Sequence, residues 1–202
     1  MRGERLKHTL ILWTKLGSPK RTRYLRENHI FYSIGDNCTI MSRTIPLYAR
    51  LIKIGNNVHL ASGVKLITHD ITHAMLNKSS YVKEKAGADY RFREKVGCIE
   101  IGDDVFVGSG TTILQNVRIG SRVIIGAGSL VNRDIPDNSV AVGVPAKVIG
   151  TLDDYVERRM KEEAYPDDMS PHDGKKTREL RISEDAVAWC WDRFNKEKST
   201  AK

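Results

Sequence analysis

Two histidines, His69 and His73, stand four places apart, and Asp70 follows the first of them. A neutral imidazole has a pKa of about 6.5, so near pH 7 it can accept a proton from a hydroxyl and pass it on. Asp70 can orient either ring, and it can equally serve a corner of the chain. His59 lies ten residues upstream of His69. Imidazole also suits zinc, so His59, His69 and His73 can be read as the ligands of a metal-dependent hydrolase or lyase. The cysteines add nothing to such a set: Cys98 and Cys190 are isolated, without metal or redox spacing.

The elements that must hold these side chains are spelled out between Ile101 and Ile135. That stretch reads in sixes: IGDDVF, VGSGTT, ILQNVR, IGSRVI, IGAGSL, VNRDIP. An aliphatic residue opens each block (Ile101, Val107, Ile113, Ile119, Ile125, Val131). A small or β-branched residue sits four places on (Val105, Thr111, Val117, Val123, Ser129, with Ile135 last). A fixed short period is the signature of a solenoid, here an all-β parallel β-helix of hexapeptide repeats. Each hexad makes one short strand and one corner. Three hexads complete a triangular coil, which puts Ile101 under Ile119 and Val107 under Ile125, with coils about 4.8 Å apart. Glycine and the Asp-Asp and Asn-Arg pairs supply the corner dihedrals. Cys38 falls on the small-residue position and is expected in the core.

The frame extends backwards. IGNNVH from Ile54, LASGVK from Leu60 and LITHDI from Leu66 form one more coil; IGDNCT from Ile34 and IMSRTI from Ile40 form part of an earlier one. Ile40 to Ile54 is fourteen residues, two more than two hexads, which puts a small corner insertion near Pro46. Residues 74–95 have no hexad pattern and many charges, so they predict a loop thrown out of the helix just after the histidines. Three parts result: an N-terminal helical cap over 1–30, a β-helix domain over 31–150 with its excursion at about 74–95, and a helical C-terminal extension over 151–202. In the cap, residues 4–16 predict a short helix with Leu6, Leu10 and Trp13 on one face, capping the open end of the solenoid. Gly17, Ser18 and Pro19 end it. In the extension, 152–164 predict a charged helix and 165–180 a loop. Ser183 caps a final helix with Val187, Trp191 and Phe194 on one face. Val107, Leu114 and Ile124 read as apolar residues on the outer faces, and such patches mark interfaces.

At 202 residues and 40% apolar, the chain suffices for one domain with appendages. The net charge is +8, with basic clusters at Lys15, Lys20, Arg21, Arg23 and Arg26 and at Lys175, Lys176, Arg178 and Arg181. Such a balance favours anionic partners. No helix-turn-helix, zinc finger or aromatic RNA platform is visible, which argues against nucleic acid. No run of 18 apolar residues exists to span a membrane. The run Leu10–Trp13 is too short for a secretory signal. The expected location is the cytoplasm, where three cysteines fit a reducing compartment.

The stretches IGNNVHLASGVKLITHD, IEIGDDVFVGSGTTIL and IGAGSLVNRDIPDNSVAVGVPAKVIG resemble the hexapeptide-repeat acyltransferases, specifically the acetyl-CoA-dependent O-acetyltransferases of sugars and xenobiotics. The resemblance covers Ile34 to Gly150. It implies a left-handed β-helix and a homotrimer with three active sites, each between two subunits. It also implies acetyl-CoA as co-substrate and a hydroxyl of a small or lipid-linked saccharide as acceptor, with a place in polysaccharide biosynthesis. Acetyl-CoA brings the acyl group activated, so no metal and no covalent enzyme intermediate is required. The basic N-terminal cluster suits a lipid-linked or polyanionic acceptor and a peripheral membrane contact.

Carried over by position, His69 at the fourth place of LITHDI stands where the family's catalytic histidine sits. Thr68 precedes it where a glycine is common, and His73 comes four places later rather than three, so His73 is the alternative base, with Asp70 an orienter of either. The oxyanion needs a hydrogen-bond donor, commonly a backbone N–H. Gly108 and Ser109, and Ala127 one coil on, line the groove for the pantetheine arm. Arg133 with Asn132 beside it matches the nucleotide end, and Lys147 is a second cation for CoA phosphates. Asn57, His59, Met75, Tyr81 and Tyr90 are candidates to contact the acceptor. The alternatives are an N-acyltransferase of an amino sugar and a non-catalytic or metal-binding β-helix protein.

Overall fold

In the computed structural model the aliphatic residues that open the hexads stack on one another from rung to rung. The structure describes residues 2–162 and 184–200. The strands β1 (Ser33–Ile34) and β2 (Thr39–Ile40) begin the stack; β3 (Ile52–Ile54), β4 (Val58–Leu60) and β5 (Lys65–Leu66) make the next rung. After β6 (His69–Asp70), an excursion carries α3 (Thr72–Leu76) and α4 (Ser80–Ala86) and returns through β7 (Lys95–Val96). Then come β8 (Ile99–Ile101), β9 (Val105–Val107), β10 (Thr112–Ile113), β11 (Val117–Ile119), β12 (Val123–Ile125), β13 (Leu130–Val131), β14 (Ser139–Val142) and β15 (Lys147–Gly150). The chain visits three sheets in rotation: β1-β3-β8-β11, then β2-β4-β9-β12-β14, then β5-β10-β13. Within each, neighbours are parallel. Ile101 pairs with Ile119, Val107 with Ile125 and Ile113 with Val131, as the six-residue period predicts. The frame also holds backwards, with Ile54 on Ile101, Leu60 on Val107 and Leu66 on Ile113.

The interior is one column of side chains. Val107, Ile113, Ile119, Ile125 and Val131 are fully shielded, and each contributes about 1.5–3 kcal/mol relative to exposure. Thr111 and Ser129 fill the small positions, and both hydroxyls donate to the Gly126 carbonyl, at 3.0 and 2.7 Å. Cys38 is buried in its slot. Val107 is therefore a core residue and not an outward one; the outward residue of β9 is Phe106, because side chains alternate along a strand. The corners bear out a second expectation in part: glycine and the Asp-Asp pair supply left-handed corners, whereas Asn132 and Arg133 do not. The left-handed dihedrals fall on Asn57, Asp104, Asn116, Arg122 and Asn138, and on Gly63, Gly110 and Gly128. Gly108 is needed for space: a Cβ there would meet the Ala127 nitrogen at 2.4 Å.

Two helices, not one, precede the sheets. These are α1 (Arg2–Thr14) and α2 (Ser18–Glu27). Pro19 sits in the first turn of α2, where its missing N–H costs nothing, so the Gly-Ser-Pro run ends one helix and starts another. The open end is capped mainly by α2: buried Thr22 accepts the Ile40 N–H through Oγ1 at 2.9 Å, and the Arg26 guanidinium donates to the Gly35 carbonyl. Leu12 and Leu25 join the core, whereas Leu6, Leu10 and Trp13 face outwards. At the far end β15 folds back antiparallel on β14.

Met1–Glu157 and Arg158–Lys202 are two compact units. The charged helix α5 (Leu152–Met160) starts in the first, where Asn138 Nδ2 donates to Asp153 at 2.8 Å. The second holds α6 (Glu184–Thr200), in which the Trp191 and Phe194 rings meet edge to face at 5.7 Å. The expected loop over 165–180 and the Ser183 cap lie outside the described residues. Among the described residues no helix is long and apolar enough to cross a membrane.

Candidate functional site

His69 is placed by the last residues of its rung. Leu66 is buried in the stack, Thr68 is fully buried, and its hydroxyl donates to the Leu47 carbonyl at 2.5 Å. The next residue then leaves the stack, and β6 pairs antiparallel with β7, His69 opposite Val96 and Asp70 opposite Lys95. The excursion is thereby clamped at its neck. It contains two short helices where the sequence predicts only loop, with Ser79 capping α4 through the Val82 N–H. No hexad pattern could signal them, since they pack outside the stack.

His69 lines a cavity with Ile67, Asp70, Ile71, Thr72, Ala74 and Met75. His73 lines a neighbouring one with Arg5, Leu6, Leu47, Tyr48, Ile71 and Glu94. Each ring has its Nδ1 buried, with no hydrogen-bond partner among the described residues. Buried polar atoms are normally satisfied by protein, water or ligand, and for these two none of the described residues supplies the partner. Asp70 bonds elsewhere. Its Oδ1 accepts the Thr72 hydroxyl and backbone N–H at 2.5 and 3.0 Å, which starts α3. Those bonds from Thr72, with Lys95 nearby, hold the Asp70 carboxyl below its ordinary pKa. Gln115, one rung up, donates to Asp70 Oδ2 at 3.4 Å in one amide orientation; in the other it donates to the Thr68 and Lys95 carbonyls at 3.1 and 3.2 Å.

Tyr48 and Glu94 belong to this neighbourhood and were not among the sequence candidates. The Tyr48 ring stands edge-on to His69, centroids 5.7 Å apart, and its hydroxyl donates to Glu94 Oε2 at 2.7 Å. That bond pushes the phenol pKa up. Tyr48 has φ 53°, a left-handed turn just before the chain re-enters the stack. The two extra residues between Ile40 and Ile54 were the signal for it.

Of the other candidates, Met75 joins the His69 cavity. Tyr81 carries Lys85 over its ring, and Tyr90 packs on Phe92 at 4.8 Å, both farther out in the excursion. Asn57 and His59 lie on the β4 side: Asn57 donates to Asp104 at 2.7 Å, and its Oδ1 lies 3.1 Å from His59 Nε2. Ser109 and Ala127 stack one rung apart at the corner preceding β10 and β13, and Ser109 accepts the Gly128 N–H at 2.8 Å. Asn132 and Arg133 follow β13 directly, in the column of corners that His69 begins. Lys147 is exposed on β15. Within one chain, therefore, the Ser109–Ala127 column and the His69 corner stand at opposite ends of the sheet β5-β10-β13. Among the described residues no three His, Cys, Asp or Glu side chains converge to hold a metal ion, and the structure does not gather His59, His69 and His73 into one.

Three rotating parallel sheets, an 18-residue register and a histidine at a clamped corner define a hexapeptide-repeat protein, and comparison with known proteins agrees. Residues 98–133 match the family model described as bacterial transferase hexapeptide (six repeats). Galactoside O-acetyltransferase of Lactococcus lactis is 34% identical over 145 residues, covering 62% of this chain and 65% of that protein. SAR2635 of Staphylococcus aureus strain MRSA252, which carries a provisional acetyltransferase name, is 30% identical over 148 residues, covering 69% of this chain and 74% of that one. A solved galactoside acetyltransferase in complex with coenzyme A superposes with a TM-score of 0.51 at 26% identity, over 82% of this chain and 87% of that one. The chain belongs to the bacterial hexapeptide transferase family. It spans about half the length of several curated relatives it matches, 48% of one and 45% of another.

Proposed function

We propose that the protein is an acetyl-CoA-dependent O-acetyltransferase that moves an acetyl group to a hydroxyl of a saccharide acceptor in the cytoplasm. The observation that carries the reading is His69, held at the clamped corner beside a cavity with a buried, unpartnered ring nitrogen. In this reading the three-sided stack over 31–150 is the left-handed β-helix domain, between an N-terminal cap over 1–30 and a C-terminal extension over 151–202. His69 takes the proton of the acceptor hydroxyl as its oxygen attacks the thioester carbonyl. The thiolate of CoA leaves, and the proton on the imidazole goes to that sulfur. His73, four residues along and beside Tyr48, is the alternative base.

The corner of Gly108, Ser109 and Ala127 suits the thin pantetheine arm, because Gly108 has no side chain and those of Ser109 and Ala127 are small and exposed. Asn132, Arg133 and Lys147 are exposed groups for the CoA phosphates. Met75, with Asn57, His59, Tyr81 and Tyr90 as further candidates, would meet the acceptor. The separation of the Ser109–Ala127 column from His69 suits a site shared between copies, as in the homotrimer that the family resemblance implies, in which a second copy brings its corner column to this chain's His69. Mixing the purified protein with acetyl-CoA and a panel of galactosides and oligosaccharides tests this. Acceptor-dependent release of the CoA thiol is expected; thiol release with none of them, or acetyl transfer only to amino sugars, contradicts it.

A further inference from the structure

The N-terminal segment leaves an apolar face and a strong charge uncovered together. On α1, Leu6, Leu10 and Trp13 are 59%, 59% and 57% exposed, and Leu16 just beyond is 71% exposed. They recur at helical spacing, so they form a stripe on the outward side. The inward side is satisfied: Leu12 is fully buried, and His8 Nδ1 lies 2.6 Å from the Tyr24 hydroxyl. Residues 1–30 also hold eight lysines and arginines against Glu4 and Glu27, a net +6 of the chain's +8, of which Arg21 is buried and Arg26 is paired with Asp36. Lys7, Lys20 and Arg23 are exposed, and the Arg43 guanidinium lies over the Trp13 ring at 5.2 Å.

Water is a poor partner for the stripe, since contiguous apolar patches on soluble surfaces mark interaction sites. A second copy of the same face would bring like charge against like charge. An anionic bilayer answers both features: its interface takes leucine and tryptophan, and its negative potential attracts lysine and arginine. We propose that α1 and the start of α2 form a peripheral anchor that docks the protein on an anionic lipid bilayer. Arg5 and Leu6 also line the cavity of Tyr48, His73 and Glu94. Docking therefore brings that cavity's mouth to the lipid surface, which, if the acyltransferase reading holds, suits an acceptor carried on a lipid.

Co-sedimentation of the full chain with vesicles of mixed phosphatidylglycerol and phosphatidylcholine, and of phosphatidylcholine alone, tests the anchor independently of any transfer activity. Two variants accompany it, Leu10→Glu/Trp13→Glu and Lys20→Glu/Arg23→Glu, with circular dichroism and sedimentation velocity as checks on fold and mass. Binding to the phosphatidylglycerol vesicles is expected to weaken with salt and to fall roughly tenfold or more in each variant, at unchanged fold and mass. No binding by the parent, equal binding by either variant, or equal binding to phosphatidylcholine alone overturns it. So does a Leu10→Glu/Trp13→Glu protein that binds less only because its oligomer has dissociated, which would make this face a contact between copies.

Discussion

The ring of Tyr48 meets the ring of His69 edge-on, with centroids 5.7 Å apart, while the Tyr48 hydroxyl is tied to Glu94. The phenol thus walls the imidazole from one side, and the excursion's returning end fixes the wall. Aromatic pairs of this geometry contribute about 0.5–1.5 kcal/mol. Tyr48→Ala should lower kcat/KM by about 2- to 10-fold, whereas Tyr48→Phe, which keeps the ring, should change it by less than about twofold. Steady-state kinetics of both variants check this; equal losses would show that the hydroxyl and not the ring matters.

Asp70 makes a pH prediction. Hydrogen bonds from Thr72 hold its carboxyl below the ordinary value of 3.8 in the folded protein. A group with a depressed folded pKa stabilises the fold above its unfolded pKa, and that contribution fades as pH falls through the folded value. The parent should therefore melt higher than Asp70→Asn at pH 7, and the gap should close as the pH is lowered below about 3.8. Thermal melts of both proteins across that range measure it; a gap that widens in acid contradicts it.

The excursion is clamped at its neck by β6 and β7, so its outer part should be dispensable for the stack. Replacing residues 76–92 with a short glycine-rich turn should leave the melting transition in place and raise the acceptor KM, with the KM for acetyl-CoA unchanged. Loops carry specificity on a scaffold that carries position. Loss of the folded state in circular dichroism would make the excursion structural.

The stack was legible because its period is written in the residues that fill it. Ile101, Val107 and Ile113 fix the rung, and their partners eighteen residues on fix the register. His69 stood out through the resemblance, because it stands where the family's catalytic histidine sits; the period alone marks it only as a corner residue. The rest depended on packing that periodicity does not encode. Leu6, Leu10 and Trp13 mark a helical face, but spacing alone does not say whether it turns inwards, and here Leu12 does instead. Gly17-Ser18-Pro19 reads as a stop and is also a start. Tyr48 and Glu94 lie forty-six residues apart in sequence and meet only because the excursion returns to the corner insertion.

Complementation tests where the site is completed. His69→Ala and Ser109→Trp proteins should each be inactive alone. If a site joins His69 of one subunit to the corner of another, random reassembly of an equal mixture should restore activity at about a quarter of the sites. No recovery after verified subunit exchange would confine the site to one chain.

The general base is tested most directly by kcat for His69→Ala, measured beside His73→Ala with an acceptor the parent uses. General-base catalysis typically contributes about 10²–10⁴-fold, so His69→Ala should lose about that much, keep its fold and bind acetyl-CoA nearly as before. His73→Ala should lose far less. Near-full turnover by His69→Ala, or a larger loss in His73→Ala than in His69→Ala, would contradict the assignment.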